Sequence, residues 1–447
     1  MNISCSRMLL CIGLLPLMAV AASPQTTHEF TLDNGLKVVV RQDHRAPVVS
    51  SQLWVKVGSS HEHPGQSGLS HALEHMLFKG SSKACAGAYA TTLERLGARE
   101  NAFTGADVTT YHQTMTPGRL GVAFELMADI ITTARLADDD FSTELEVIKE
   151  ERSSQVDDDP RSLTHERLLS IAYPASSYAS PTIGWLHDLR RMNAAQLRAW
   201  YQAWYAPNNA TLVVVGDVSV EQVKGLAQRY FGPIPRRDIP PVMAPLELAE
   251  PGERKITLQL AVHTPRLIMS FNVPSLTTAE NRRSVYALRL LDTLLAGSNS
   301  ARIRKRLQFT EQLFSEVSSE YDAFNRGDSL FILSTELDLK QTITLTDAEN
   351  RLWQLLDELK TTPPEAAELE RARTTLIANQ IYAGDSIEHQ AHTLGTLESI
   401  GLSWRLMEQE TEEFNKVTPQ DIQHAASTYL TRQRLSVVNV LPEKNNG

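Results

Sequence analysis

Short runs rich in β-branched and aromatic residues recur along this chain and predict strands: 52–57, 210–216, 267–273 and 435–440. Between them lie stretches whose apolar residues return at helical spacing. Gly68 to Phe78 carries Leu69, Leu73, Met76, Leu77 and Phe78, with no Lys, Arg or Asp. Phe141 to Arg152 carries Leu145 and Ile148, and Ala279 to Leu295 follows the strand 267–273. Asn193 and Thr418 sit where helix N-caps are expected, offset by 225 residues. Each cap opens a helix, to Tyr205 or Tyr429, that leads into a strand. Each half also begins with a strand followed by a helix.

These parallels predict an internal duplication. The fold class expected is α+β: two homologous domains, each an antiparallel-rich sheet with helices on one side. Gly232 to Pro251 is proline-dense and aperiodic, which reads as an extended linker. The expected division is a first domain over 22–231, a linker over 232–254 and a second domain over 255–447.

The first 21 residues stand apart. Arg7 precedes an apolar run from Met8 to Val20 that ends in Ala19-Val20-Ala21, the pattern of a cleaved signal peptide. Export to a periplasm follows as the expected location. No other segment reaches 18 uninterrupted apolar residues, so no membrane span is expected in the mature chain. Cys5 and Cys11 fall within the signal, which leaves Cys85 with no internal partner and excludes a cysteine-rich zinc site. The balance of 53 acidic against 43 basic residues argues against a nucleic-acid partner.

The chemistry concentrates in the Gly68–Phe78 helix, which contains His71-Ala-Leu-Glu74-His75. Positions i, i+3 and i+4 share one helix face, so two imidazoles and a carboxylate emerge together from an apolar helix. An unpartnered buried carboxylate costs several kcal/mol or is neutralised. Two neutral histidines holding Zn²⁺, with Glu74 turned toward a metal-activated water, resolve that cost. Chance alone yields such a pattern in roughly 4% of chains of this composition. A catalytic zinc needs a third protein ligand. Glu144 and Glu151 lie two turns apart on one face of the 141–152 helix, where they are either that ligand and its neighbour or a solvated acidic face.

Further matches separate the two. Glu144-x-x-Val147-Ile148-x-x-Glu151 follows His75 after 75 intervening residues, and Leu77–Ser81, Leu93–Ala98, Asn101–Thr104 and Pro207–Leu212 accompany it. On these motifs the chain, from about Phe30 onward, resembles the pitrilysin-type (inverzincin) zinc peptidases, the group of the mitochondrial processing peptidases. The resemblance implies His71, His75 and Glu151 as ligands of one Zn²⁺ per chain, Glu74 as general base and Glu144 behind a ligand histidine. It implies the same fold, its two halves facing across a cleft, and that Asn101, Ala102, Phe103 and Thr104 form an edge strand to which a peptide substrate adds.

One stretch departs from the family. Where many members carry an Arg and a Tyr that reach the substrate carbonyl, this chain has Gln308 and Ser315. The expectation is a secreted zinc endopeptidase acting on oligopeptides or small unfolded proteins. It would be the zinc-bearing subunit of a dimer, hetero- or homodimeric, that borrows Arg and Tyr from a homologous partner. A non-catalytic assembly subunit is the alternative, and Glu74 would serve no purpose there. Two histidine groups are left outside the site. His61-Glu62-His63 is expected to be a surface turn, and Glu388, His389 and His392 a solvated or interface helix face.

Overall fold

The computed structural model describes residues 26–443; the signal segment lies outside them. The first half builds a six-stranded sheet from β1 (Thr27–Thr31), β2 (Lys37–Gln42), β3 (Val49–Val55), β4 (Arg99–Thr104), β5 (Thr109–Met115) and β6 (Ala210–Gly216). Their order is β1-β2-β6-β3-β5-β4, antiparallel except for the β2–β6 pair. Strand β4 is therefore an edge, bonded to β5 on one side only.

Among the described residues, eight α-helices belong to this half. They are α1 (Leu69–Leu77), α2 (Ala88–Arg95), α3 (Leu120–Thr133), α4 (Asp138–Arg152), α5 (Pro160–Ala172), α6 (Leu186–Leu189), α7 (Ala194–Trp204) and α8 (Val220–Tyr230). Alternation along the strands fills one core: Val38, Val40, Leu53, Val55, Leu212 and Val214 pack against Leu73 and Met76 of α1 and Leu197 of α7. Asn193 caps α7 through a hydrogen bond to the Gln196 N–H.

The second half repeats this plan with β7 (Arg254–Leu260), β8 (Arg266–Val273), β9 (Phe314–Tyr321), β10 (Ser329–Leu337) and β11 (Leu435–Pro442). The order is β7-β11-β8-β10-β9, with only β7–β11 parallel. Its helices are α9 (Arg282–Ala296), α10 (Leu345–Thr361), α11 (Ala366–Ala383), α12 (Ile387–Ser399), α13 (Leu406–Asn415) and α14 (Pro419–Tyr429). The helix expected from Ala279 starts three residues later, behind an Asn281 cap that bonds the Arg283 N–H. Thr418 caps α14, matching Asn193 in the first half. Residues 231–253 between the halves carry no helix or strand.

The outer face of each sheet is covered by a helix from the other half. Val39, Trp54, Val213 and Val215 meet Ala391 and Leu394 of α12. Gly395 is required there, since a Cβ would lie 2.1 Å from the Trp54 ring. Reciprocally, Ile268, Val438 and Val440 meet Leu168 of α5. Each large apolar side chain buried this way contributes about 1.5–3 kcal/mol.

A polar cluster ties the halves together beside β4. Asp107, in the β4–β5 turn, accepts from the Arg326 backbone N–H at 3.0 Å and from its Nε at 3.2 Å. The Ser60 and Tyr178 hydroxyls donate to the same carboxylate. Arg326 also reaches Ser60 Oγ at 2.9 Å and the Met243 carbonyl at 2.8 Å.

Candidate metal centre

Helix α1 begins at Gly68, whose φ of +91° is left-handed and whose Cβ would lie 2.8 Å from the Ile183 carbonyl. Glycine is needed on both counts. The first turn of a buried helix leaves N–H groups without partners, and a buried carboxylate accepts them here while a second holds the residue before the cap. Glu62 accepts from the N–H of Gly68 and of Ser70, each at 2.7 Å. Asp188 accepts from the Ser67 N–H at 3.2 Å and from its hydroxyl at 2.6 Å. Burial pushes the Glu62 carboxyl up to about 7.

This corrects the expectation of a surface turn at 61–63. His61 packs against Trp204 with ring centroids 5.1 Å apart, and Glu62 anchors the start of α1. The Pro/Gly-rich surroundings concealed it, because a cap six to eight residues away in sequence leaves no periodic signal.

From α1, the His71 and His75 rings meet edge to face with centroids 4.6 Å apart. Glu151, on the last turn of α4, faces both rings, with Oε2 3.3 Å from His75 Nε2 and 3.8 Å from His71 Nε2. One ligand atom from each of the three residues lies within 4.8 Å of the others. Glu151 Oε2 is buried and makes no well-formed hydrogen bond.

Electrostatics shape the donor set. Burial, and then the neighbouring His75, lower the His71 imidazole to about 4, so it is neutral near pH 7 with a lone pair to offer. Burial would also lower His75, but bonding to Glu151 and Glu144 overrides it and the net shift is upward. Bonding to His75 holds the Glu151 carboxyl below its ordinary value. Glu144 sits at 3.0 Å from His75 Nδ1. A proton on Nδ1 of His75 leaves its Nε2 lone pair aimed at the centre. Lys79 pairs with the other Glu144 oxygen, a contact absent from the sequence reading. Two imidazole nitrogens and a carboxylate converging at one point are the donor types that suit Zn²⁺, which would take the place of the proton between His75 and Glu151.

Glu74 lies on the same face of α1. Burial raises its carboxyl above the ordinary value, opposed by the Thr104 hydroxyl, which donates to Oε2 at 2.6 Å. Of the other edge-strand residues, Asn101 accepts from the Ala102 N–H, Ala102 packs on the first core, and Phe103 faces Trp54 and His392. His392 itself is exposed, its ring edge-on to Trp54 at 5.2 Å, at the rim of the α12 face that meets the first half. Gln308 and Ser315 bond each other, Nε2 to carbonyl, at 2.8 Å. Neither lines the cavity of about 710 Å³ that opens beside His71, Thr104 and Glu151 and is walled by α5 and by Asn325 of the second half.

Directly after Glu151, residues Ser153–Asp157 form a π-helical turn, and Arg152 is buried against Glu166. Turns of this kind often mark functional positions. Among the described residues, no helix is long and apolar enough to cross a membrane.

Comparison with known proteins adds the following. Residues 37–184 match the family described as insulinase (peptidase family M16), and residues 191–376 match the peptidase M16 inactive domain. Zinc protease PqqE of Helicobacter pylori is 28% identical over 348 residues, covering 77% of each chain. An uncharacterized zinc protease of Bacillus subtilis, YmxG, is 27% identical over 68% of this chain and 72% of its own. A crystal structure of a protease from Helicobacter pylori superposes with a TM-score of 0.86 at 25% identity, over 94% of this chain and all of that one. The periplasmic protease PqqL of Escherichia coli shares the fold at 19% identity, with a TM-score of 0.78 over 94% of this chain and 48% of its own.

Proposed function

Because the chain belongs to the M16 (insulinase) peptidase family, whose two domain models it matches in order, we propose that it is a zinc-dependent endopeptidase hydrolysing oligopeptides or small unfolded proteins. The observation that carries this reading is the convergence of His71, His75 and Glu151 beside a cavity that both halves wall. These three residues would hold the metal. Bound zinc would acidify water and polarise the scissile carbonyl.

The chain's own groups supply the rest. Glu74, its carboxyl raised by burial, takes a proton from the attacking water and returns it to the leaving amine. The free edge of β4 pairs with the peptide main chain, which gives affinity with little sequence preference. Glu144 keeps the His75 ring in one orientation through the cycle.

The same reading makes the chain the zinc-bearing member of a pair, exported to the periplasm. Gln308, half-buried, and Ser315, exposed, bond each other and stand where many family members carry the Arg and Tyr that reach the substrate carbonyl. The PqqL chain, twice as long, aligns with this one over its first half, which leaves room in that protein for a second unit. PqqL is a periplasmic protease, in keeping with the signal-like first 21 residues here.

The test is hydrolysis of quenched peptides by the wild-type chain and by Glu74→Gln, with zinc measured in both. The expected result is one zinc per chain in each and, with a homologous Arg/Tyr-bearing chain present, hydrolysis with the wild type and none with Glu74→Gln. Retained hydrolysis in Glu74→Gln, or no zinc in the wild type, sinks the peptidase reading. Full-rate cleavage by the single chain sinks the pairing; cleavage only after a homologous Arg/Tyr-bearing chain is added supports it.

A further inference from the structure

Thr104 ends the edge strand, and its side chain is already committed. Along β4 the side chains alternate, so Phe103 turns to Trp54 and His392 while Thr104 turns toward α1. There its hydroxyl donates to Glu74 Oε2 at 2.6 Å, the length of a charge-assisted bond. Among the described residues no other hydrogen bond reaches the Glu74 carboxylate. The hydroxyls of Tyr111 and Tyr205, buried nearby, are 2.8 Å apart and bond each other instead. The main chain of β4 keeps its outer edge free. Thr104 also lines the cavity together with His71 and Glu151.

We propose that Thr104 is a positioning residue: its hydroxyl fixes the Glu74 carboxylate at the level of the strand to which a peptide adds. One strand then places both partners in proton transfer, the peptide through its backbone and the base through this side chain. The inference rests on Glu74 being the general base, and it takes Thr104 out of the set of substrate contacts. A hydrogen bond to a charged acceptor corresponds to about a ten- to hundredfold effect when removed.

The experiment compares Thr104→Val, which keeps the shape and the strand preference, with Thr104→Ser, which keeps the hydroxyl. Peptide affinity is measured on zinc-free protein by fluorescence anisotropy, and kcat and KM on zinc-loaded protein. Thr104→Val should lower kcat about ten- to hundredfold with peptide affinity and KM within twofold of wild type, and Thr104→Ser should restore most of the rate. In the infrared spectrum of zinc-free protein, the carboxyl band lost in Glu74→Gln should shift in Thr104→Val and stay in place in Thr104→Ser. An unshifted band, a loss of peptide affinity, or an equal fall in both variants overturns the proposal. The band reports on Thr104 even if the chain cleaves nothing by itself. Should Thr104→Val not fold, Thr104→Ser against Thr104→Ala isolates the hydroxyl in the same way. Hydrolysis surviving in Glu74→Gln would instead overturn the peptidase reading and leave the band shift to judge the Thr104–Glu74 contact.

Discussion

Replacing Arg326 with leucine should weaken the junction between the halves by about 3 kcal/mol. The substitution keeps the aliphatic stem and removes three bonds: to Asp107 at 3.2 Å, Ser60 at 2.9 Å and the Met243 carbonyl at 2.8 Å. Asp107 is only 8% exposed, and removing one partner of a buried ion pair costs about 3–5 kcal/mol. The carboxylate keeps the residue-326 N–H and the Ser60 and Tyr178 hydroxyls, which places the loss at the lower end. Urea denaturation of zinc-free protein, followed by tryptophan fluorescence, would show a lower midpoint at an unchanged slope. Asp107→Asn completes a double-mutant cycle. If Asp107 and Arg326 act as a unit, the double variant loses less than the two singles together, by about 1.5 kcal/mol or more. Additivity within about 0.5 kcal/mol would refute the reasoning, since the two groups would then be independent.

Glu144→Ala should weaken zinc binding about ten- to hundredfold by freeing the His75 ring, measured by competition with a chromogenic chelator. An unchanged affinity would mean that packing alone orients the ring. Asp292 on α9 is half-buried, its Oδ1 is enclosed without a hydrogen bond, and desolvation raises its carboxyl to about 6. A raised folded pKa contributes stability below the unfolded value and loses it as pH rises through 6. Asp292→Asn should therefore stabilise the protein above pH 6, by about 3 kcal/mol at most, and have little effect near pH 4. Denaturation midpoints at pH 8 and pH 4 check this, and equal shifts at both would contradict it. Gly395→Ala forces a methyl into the Trp54 ring and should cost about 1–3 kcal/mol, read as a fall in thermal midpoint. No fall would mean that α12 sits less tightly than its contacts indicate.

The strands and helices that repeat between the halves were legible because each carries its own period and its own cap, as at Asn193 and Thr418. His71, Glu74 and His75 were legible because one helix turn holds all three. Contacts that join distant segments left no such trace. Glu62 reads as part of a loop until the start of α1 is laid against it, and nothing in the sequence links Lys79 to Glu144, 65 residues away. Thr104 was grouped with its strand neighbours because a four-residue motif does not say which way each side chain points. The exchange of α5 and α12 was also hidden: both have apolar residues at helical spacing, and periodicity does not say which sheet receives them.

That exchange bears on what the segment between the halves does. A fragment ending before it would expose Val39, Trp54, Val213 and Val215, and the complementary fragment would expose Ile268, Val438 and Val440. Neither piece is a self-contained folding unit, because each lacks the helix that covers one face of its sheet. Cutting the 231–253 segment should therefore leave a nicked protein whose pieces remain associated. The covalent connection matters most while the chain is folding, when it keeps each helix at high effective concentration near the sheet it must reach. Once the helices are seated, it is the two interlocked sheets that hold the protein together.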